Sequence, residues 1–251
     1  MDKLEVGLIG YLSWFPDFWE GLDFVAKLGF KGIEGGEHLL KGDRDANLER
    51  FNAYGLKCYT VSTSVENVTN DIPTLINKAK ALKADRVTCW WSPASDYEST
   101  KRDAKILDNA GKALASEGLK LCYHNHDHEF TKTFNGSNAF DIILNTAKPE
   151  NLYIELDIGW ATMGGMDIQR LIRQLKGRLV TLHMKDFADK NDRNSFTAVG
   201  TGIVDMVTGM KTALEIGLDY IVIEQDVLRN LDVQDTLSIS YLNLKESGLI
   251  L

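Results

Sequence analysis

Residues 119–130 read L-K-L-C-Y-H-N-H-D-H-E-F, a short apolar run that ends in three of the chain's five histidines. Its length and composition are those of a β-strand, with the polar cluster gathered at the C-terminal end. The same design recurs further along the chain. Y-I-E-L-D-I-G-W at 153–160 ends its apolar run at Asp157, L-V-T-L-H-M-K-D at 179–186 ends at His183, and I-V-I-E-Q-D at 221–226 ends at Glu224. Four runs each finish on a residue that can bind a metal or move a proton.

Alternating with such runs are longer stretches of helical periodicity. Strands are predicted near 5–10, 31–35, 56–62, 86–91, 119–124, 152–157, 179–184 and 220–224. Helices are predicted over 17–28, 43–54, 71–82, 99–117, 137–146, 167–175, 204–216 and 233–247, and Gly29, Gly55, Gly118, Gly217 and Gly248 stop five of them. Eight even βα units in a chain of 251 residues predict a closed (β/α)₈ TIM barrel, an α/β fold in a single domain spanning 1–251. A doubly wound nucleotide-binding sheet is disfavoured, because the first turn reads G-Y-L-S-W-F-P rather than G-x-G-x-x-G.

A formal charge of -8 without a basic block argues against a nucleic-acid partner. No apolar run is long enough to span a membrane. The opening M-D-K-L-E-V-G-L-I-G-Y lacks an apolar stretch behind a basic segment, so no signal peptide is expected and the location expected is cytoplasmic. Cys58, Cys89 and Cys122 fall inside predicted strands and read as small buried side chains. The outer helices leave a homo-oligomer open without marking a face for it.

In such a barrel the C-terminal strand ends converge on one mouth. Glu34 ends the second strand, and Trp90 and Trp91 the fourth. His124 and His126 end the fifth, with Glu129 just beyond. Asp157 ends the sixth, His183 and Lys185 the seventh, Glu224 and Asp226 the eighth. Because side chains alternate, Tyr153, Glu155 and Asp157 should point inward, as should Thr181, His183 and Lys185, and Val222, Glu224 and Asp226. An inward carboxylate is costly unless paired or metal-bound. Asp157, His183 and Glu224 form an oxygen and nitrogen set suited to one divalent ion, Mn²⁺ first, with Zn²⁺, Co²⁺ or Mg²⁺ also accommodated. Glu129 is the expected fourth ligand, with His124 and His126 as rivals. Lys185 either offsets charge on a substrate oxygen or is a surface lysine paired with Asp186 or Asp189. Trp14, Phe15, Trp19, Trp90, Trp91 and Trp160 are candidates for the wall of a sugar pocket. The G-T-G at 200–202 reads more simply as a tight turn than as a phosphate site, since no basic residue is near it.

Y-H-N-H-D-H-E-F at 123–130, E-L-D-I-G-W at 155–160, H-M-K-D at 183–186, V-G-T-G at 199–202 and V-I-E-Q-D at 222–226 together resemble the xylose isomerase-like TIM-barrel superfamily. That group includes sugar phosphate isomerases and epimerases, inosose dehydratase, hydroxypyruvate isomerase, ketose 3-epimerases and an apurinic endonuclease. The resemblance covers essentially the whole chain. In the epimerases, strands five to eight supply Glu, Asp, His and Glu to one metal. It therefore implies Asp157, His183 and Glu224 as ligands. The first glutamate falls at or near His124, with Glu129 as its possible substitute. Trp160 stands where many relatives carry a substrate-binding histidine.

The expected chemistry is metal-assisted proton abstraction beside the carbonyl of a small carbohydrate, with Glu224, His124, His126 or Glu129 as base. Isomerisation or epimerisation of a keto-sugar or sugar phosphate through an enediolate is the leading expectation. Loss of a β-hydroxyl, as in a lyase acting on a keto-sugar or inosose, is the alternative. A metal-free sugar-binding barrel is the rival of a different class.

Overall fold

Strand β1 (Glu5–Ile9) is central to the ring, paired in parallel with β2 (Gly32–Ile33) on one side and with β8 (Tyr220–Glu224) on the other. From β8 the sheet continues through β7 (Leu179–Met184), β6 (Tyr153–Asp157), β5 (Lys120–His124) and β4 (Arg86–Cys89). Both ends of this order are pieces of one predicted strand: Lys57–Cys58 pairs with β2, and Thr60–Thr63 pairs with β4. The two pieces together are β3. The computed structural model, which describes residues 3–251, is thus a nearly closed barrel of nine parallel segments. The first two positions of the expected 1–251 domain lie outside the described residues.

Tyr59 marks the break in β3. Its ring lies inside the barrel, stacked on Tyr220 with centroids 4.3 Å apart, and Arg86 lies against Tyr220 and bonds its hydroxyl. A β-carbon on Gly7 or Gly32 would run into the Tyr59 ring, so those two glycines make the room it fills. The two tyrosines and Arg86 therefore plug the floor of the barrel, and Val222 and Ile9 pack on the tyrosines. Most of the core is the separate apolar layer between sheet and helices.

Eight helices cover the outside: α1 (Phe18–Leu28), α2 (Arg44–Ala53), α3 (Val65–Leu82), α4 (Tyr97–Ala115), α5 (Ala139–Thr146), α6 (Ile168–Gln174), α7 (Met206–Ile216) and α8 (Val233–Glu246). All but α3 begin at an Asp or Asn whose side chain accepts a backbone N–H of the first turn. Helix α3 starts six positions before the predicted 71, because Val65 and Val68 extend the buried stripe of Leu75, Ala79 and Leu82 backwards past Pro73. The short helix Ile158–Met163 and the hairpin strands Asp186–Phe187 and Phe196–Thr197 were not among the predicted elements. No helix among the described residues is long and apolar enough to cross a membrane. Cys58, Cys89 and Cys122 are buried and unpaired, as expected.

Replacing Gly32 by Ala forces a methyl group into the Tyr59 ring and the Lys57 carbonyl. Thermal denaturation should report a loss of about 2 kcal/mol, with Tm falling by several degrees.

Candidate functional site

The mouth of the barrel is set by sheet register. His183 lies beside Asp157 across β7 and β6, His124 beside Glu155 across β5 and β6, and Glu224 closes β8 beside Ile9. Past the end of β5, Asn125 fastens the next step. Its Nδ2 donates to the Asp157 carbonyl (3.1 Å) and its Oδ1 accepts from the Asp157 amide (3.0 Å), so a side chain continues the backbone ladder. The asparagine of Y-H-N-H is therefore a clamp on Asp157. The chain then turns into the helix Ile158–Met163, and Asp157 Oδ1 accepts from the Trp160 amide at 2.8 Å. Gly159 lets this helix approach the Lys185 carbonyl more closely than any β-carbon would allow.

Eight side chains from the ends of five strands meet there in an ordered arrangement. His183 directs Nδ1 to Glu224 Oε2 (2.7 Å) and Nε2 to Glu34 Oε2 (2.9 Å) and Glu155 Oε1 (3.1 Å). His124 directs Nδ1 to Glu155 Oε1 (3.2 Å), while its Nε2 lies 3.8 Å from both Asp157 Oδ2 and Glu224 Oε2. Each imidazole thus has one nitrogen anchored on a fully buried carboxylate, Glu155 or Glu34; the other faces Glu224, and in His124 it faces Asp157 as well. Asp157 Oδ2 is buried and receives no hydrogen bond. The ammonium of Lys185 lies 3.0 Å from it, 3.3 Å from Glu224 Oε2 and 2.7 Å from Asp226 Oδ1.

Charge follows from this packing. Burial works to raise the Glu224 carboxyl, but Lys185, His124 and His183 outweigh it and hold the group well below its ordinary range. Burial raises Asp157, and neighbouring Glu224 adds to that against the pull of Lys185. Burial likewise raises Glu34, helped by Glu155. For His183, burial opposes the charged form, yet Glu155, Glu34 and Glu224 push its pKa well above the usual imidazole value. For His126 only Glu224 favours the charged form; burial, with His124 and Lys185 nearby, outweighs it and lowers the pKa to about 2, so the ring is neutral.

Other expected residues sit elsewhere. Glu129 does not join Asp157, His183 and Glu224. It is fully buried one shell away, accepting from the Tyr123 hydroxyl (2.6 Å) and the His126 amide (2.8 Å), and it groups with His126 and His128. The turn after Asn125 carries it away from the strand axis, and His124 is the side chain that stands beside Asp157 and Glu224. Lys185 is not the surface lysine that pairing with Asp186 or Asp189 would require; it is 1% exposed and held by three other carboxylates. A cavity of about 460 Å³ opens above the cluster, lined by His124, His126, Glu155, His183, Glu224 and Trp90. A second of about 590 Å³ shares Ile9, Gly10, Glu34 and Ser62 with it and is walled by Leu12, Phe15 and Phe18. Of the expected aromatic wall, Phe15 and Trp90 line these cavities. Trp160 packs under them against Phe187 and Phe196, and Trp19 packs on Phe18 and Arg50. The roles of Glu34, Glu155 and Asn125 in orienting the cluster were not part of the sequence expectation. The inward alternation around Asp157 already placed Glu155 on the right face.

A closed barrel with acids and imidazoles at its strand ends defines a class, and comparison with known proteins agrees. Residues 22–237 match the family model described as xylose isomerase-like TIM barrel, and the chain belongs to that family. Among solved structures, it is similar to a sugar phosphate isomerase/epimerase from Parabacteroides distasonis, with TM-score 0.80, 21% identity and coverage of 100% of this chain and 96% of that one. It is also similar to the probable 3-DHS dehydratase AsbF of Bacillus anthracis (TM-score 0.79, 14% identity, 96% and 99% covered). The IOLI protein, solved with a zinc atom, gives TM-score 0.78 at 14% identity, with 97% and 98% covered. At these identities the likeness is one of fold. No curated protein matches the chain.

Replacing Lys185 by Met leaves Asp157, Glu224 and Asp226 without their shared ammonium. Urea denaturation in the absence of added metal should show a loss of about 3 kcal/mol at pH 7. The loss should shrink as pH falls, because Asp157 and Glu224, no longer held down by the Lys185 ammonium, take up protons more readily.

Proposed function

We propose that the chain is a divalent-metal-dependent isomerase or epimerase acting on a keto-sugar or sugar phosphate through an enediolate intermediate. What carries this is the donor set. Asp157, Glu224 and His124 each offer a ligand atom within 4.8 Å of the others, and His124 Nε2 is 3.8 Å from both Asp157 Oδ2 and Glu224 Oε2. His183 Nδ1 is 2.7 Å from the same glutamate oxygen, and the Asp157 oxygen is paired with the Lys185 ammonium at 3.0 Å. Imidazoles anchored through their far nitrogen on buried carboxylates are the usual support of a metal-binding histidine. Asp157, His183, Glu224 and His124 would hold the ion, His124 in the place expected of Glu129. Two nitrogens and two oxygens suit Mn²⁺, Zn²⁺ or Co²⁺. When bound, such an ion acidifies the α-C–H of a carbonyl substrate and offsets enediolate charge.

The chain's own groups divide the remaining work. Glu224 is kept ionised by Lys185, His124 and His183, and one of its oxygens serves as the base for the α-proton. Lys185 offsets charge that builds on a substrate oxygen. His126, neutral at any working pH, is suited to hydrogen-bonding a hydroxyl rather than carrying a proton. Trp90 and Phe15 present apolar faces to sugar C–H bonds and displace water. In the alternative outcome, loss of a β-hydroxyl, the Lys185 ammonium would hydrogen-bond the departing oxygen while staying protonated itself, since against burial Asp157, Glu224 and Asp226 raise its pKa; the mass of the product separates a lyase from an isomerase.

Protein purified without chelator should carry about one equivalent of divalent metal, and Asp157→Ala and His183→Ala should each lose most of it. With Mn²⁺ in D₂O, ketoses should gain deuterium at an α-carbon, and Glu224→Gln should slow the exchange by about 10²-fold or more. Metal retained by both alanine variants, or exchange unaffected by chelator, would contradict the assignment.

A further inference from the structure

Beside the cavity that holds the charged cluster lies the larger one, about 590 Å³, at the ends of β1 and β2. Leu12, Phe15, Phe18 and Ile33 wall it, and the His38 ring packs on Phe18 with centroids 4.6 Å apart. The polar groups at its edge are engaged by the chain itself. Glu37 Oε1 accepts from the Ser62 amide at 2.6 Å, Ser13 Oγ donates to the Gly10 carbonyl at 2.7 Å, and Glu34 Oε2 faces His183 at 2.9 Å. Sugar hydroxyls moved into such a space would give up water for little in return, so it favours an apolar occupant. Its aromatic walls offer edge and face contacts to another ring.

The two cavities adjoin along Ile9, Gly10, Glu34 and Ser62. Gly10 turns there with φ 83°, and a β-carbon on it would meet no atom beyond its chain neighbours nearer than the Gln225 carbonyl at 3.9 Å. The passage is therefore clear of side chains at this point. The carbonyl and hydroxyls of a substrate belong in the smaller cavity, about 460 Å³, where Lys185 and an ion held by Asp157, His183, Glu224 and His124 would engage them. Pockets of about 300–1,000 Å³ hold whole drug-sized ligands, so the larger cavity has room for a group beyond the sugar. Its walls also come from other elements than the cluster does: Leu12 lies in the turn after β1, and Phe18 opens α1. Substitutions there act at a distance from the metal donors of β5 to β8.

Resting on the enolisation chemistry proposed above, we infer that the cavity at the ends of β1 and β2 is a subsite for an aromatic substituent on the substrate, so that the chain acts on a keto-sugar carrying an aryl aglycone. The test compares the phenyl and methyl glycosides of one keto-sugar for α-deuterium exchange with Mn²⁺ in D₂O. Burial of the ring should raise kcat/KM for the phenyl glycoside by about ten-fold or more over the methyl. Phe18→Ala and Leu12→Asn, on separate elements, should each bring that ratio toward unity. Equal exchange of the two glycosides, or a ratio that both substitutions leave intact, would overturn the inference. Should neither glycoside exchange, the enolisation chemistry is what fails, and calorimetric titration of the same pair reads the subsite alone. Phenyl glycoside bound about ten-fold tighter than methyl, and weakened by Phe18→Ala, is then the expected result; equal affinity, or no binding of either, would overturn the inference.

Discussion

Carboxylates buried at one end of a closed barrel must be neutralised, and the rest of the site is built around that requirement. Glu34, Glu155, Asp157 and Glu224 outnumber the cations that Lys185, His124 and His183 can offer, and Lys185 is shared with the exposed Asp226 as well. Burial raises the pKa of Glu34 and Asp157, which eases proton uptake there, and a bound divalent ion would offset the same charge. The cost of burying these acids is the reason for reading them as functional. A barrel needing only stability would fill those positions with apolar side chains, as this one does on the outward faces of the same strands.

The scaffold keeps this charged cluster rigid from below and from the sides. Tyr59, Tyr220 and Arg86 close the floor, so the cluster opens only toward the strand C-termini. Asn125 prolongs the β5–β6 ladder past its last backbone pair and fixes Asp157 in direction. Glu155 and Glu34 fix the ring planes of His124 and His183. Precise placement matters because a catalytic or metal-binding group displaced by an ångström loses much of its effect. Beside the site, Asp186 is seated on the backbone amides of Gly200 and Gly202 and pins the loop that follows the seventh strand.

Much of this was legible in the chain because strand periodicity and the convergence rule act together. Alternation along residues 152–157 and 179–186 assigned Asp157 and His183 to the interior, and barrel closure brought them to one mouth. Glu129 lies apart from Asp157 because its position depends on the turn after Asn125, which periodicity does not describe. Lys185 was left between two descriptions, since only the fold shows that three carboxylates surround it. Helix α3 began earlier than expected because a polar first turn and Pro73 masked the stripe from Val65. The short helix after Asp157 was hidden by its length, below that at which a helical period can be told from a strand end.

The central claim is that His124 and His183, with Asp157 and Glu224, surround one cation position. Pulsed electron paramagnetic resonance of the Mn²⁺-loaded protein tests this directly, because imidazole nitrogens bound to the ion leave distinct hyperfine couplings. Two coupled nitrogens are expected, one of which disappears in the His124→Ala variant while the other remains. A spectrum without nitrogen coupling, or one that the His124 substitution leaves unchanged, would contradict it.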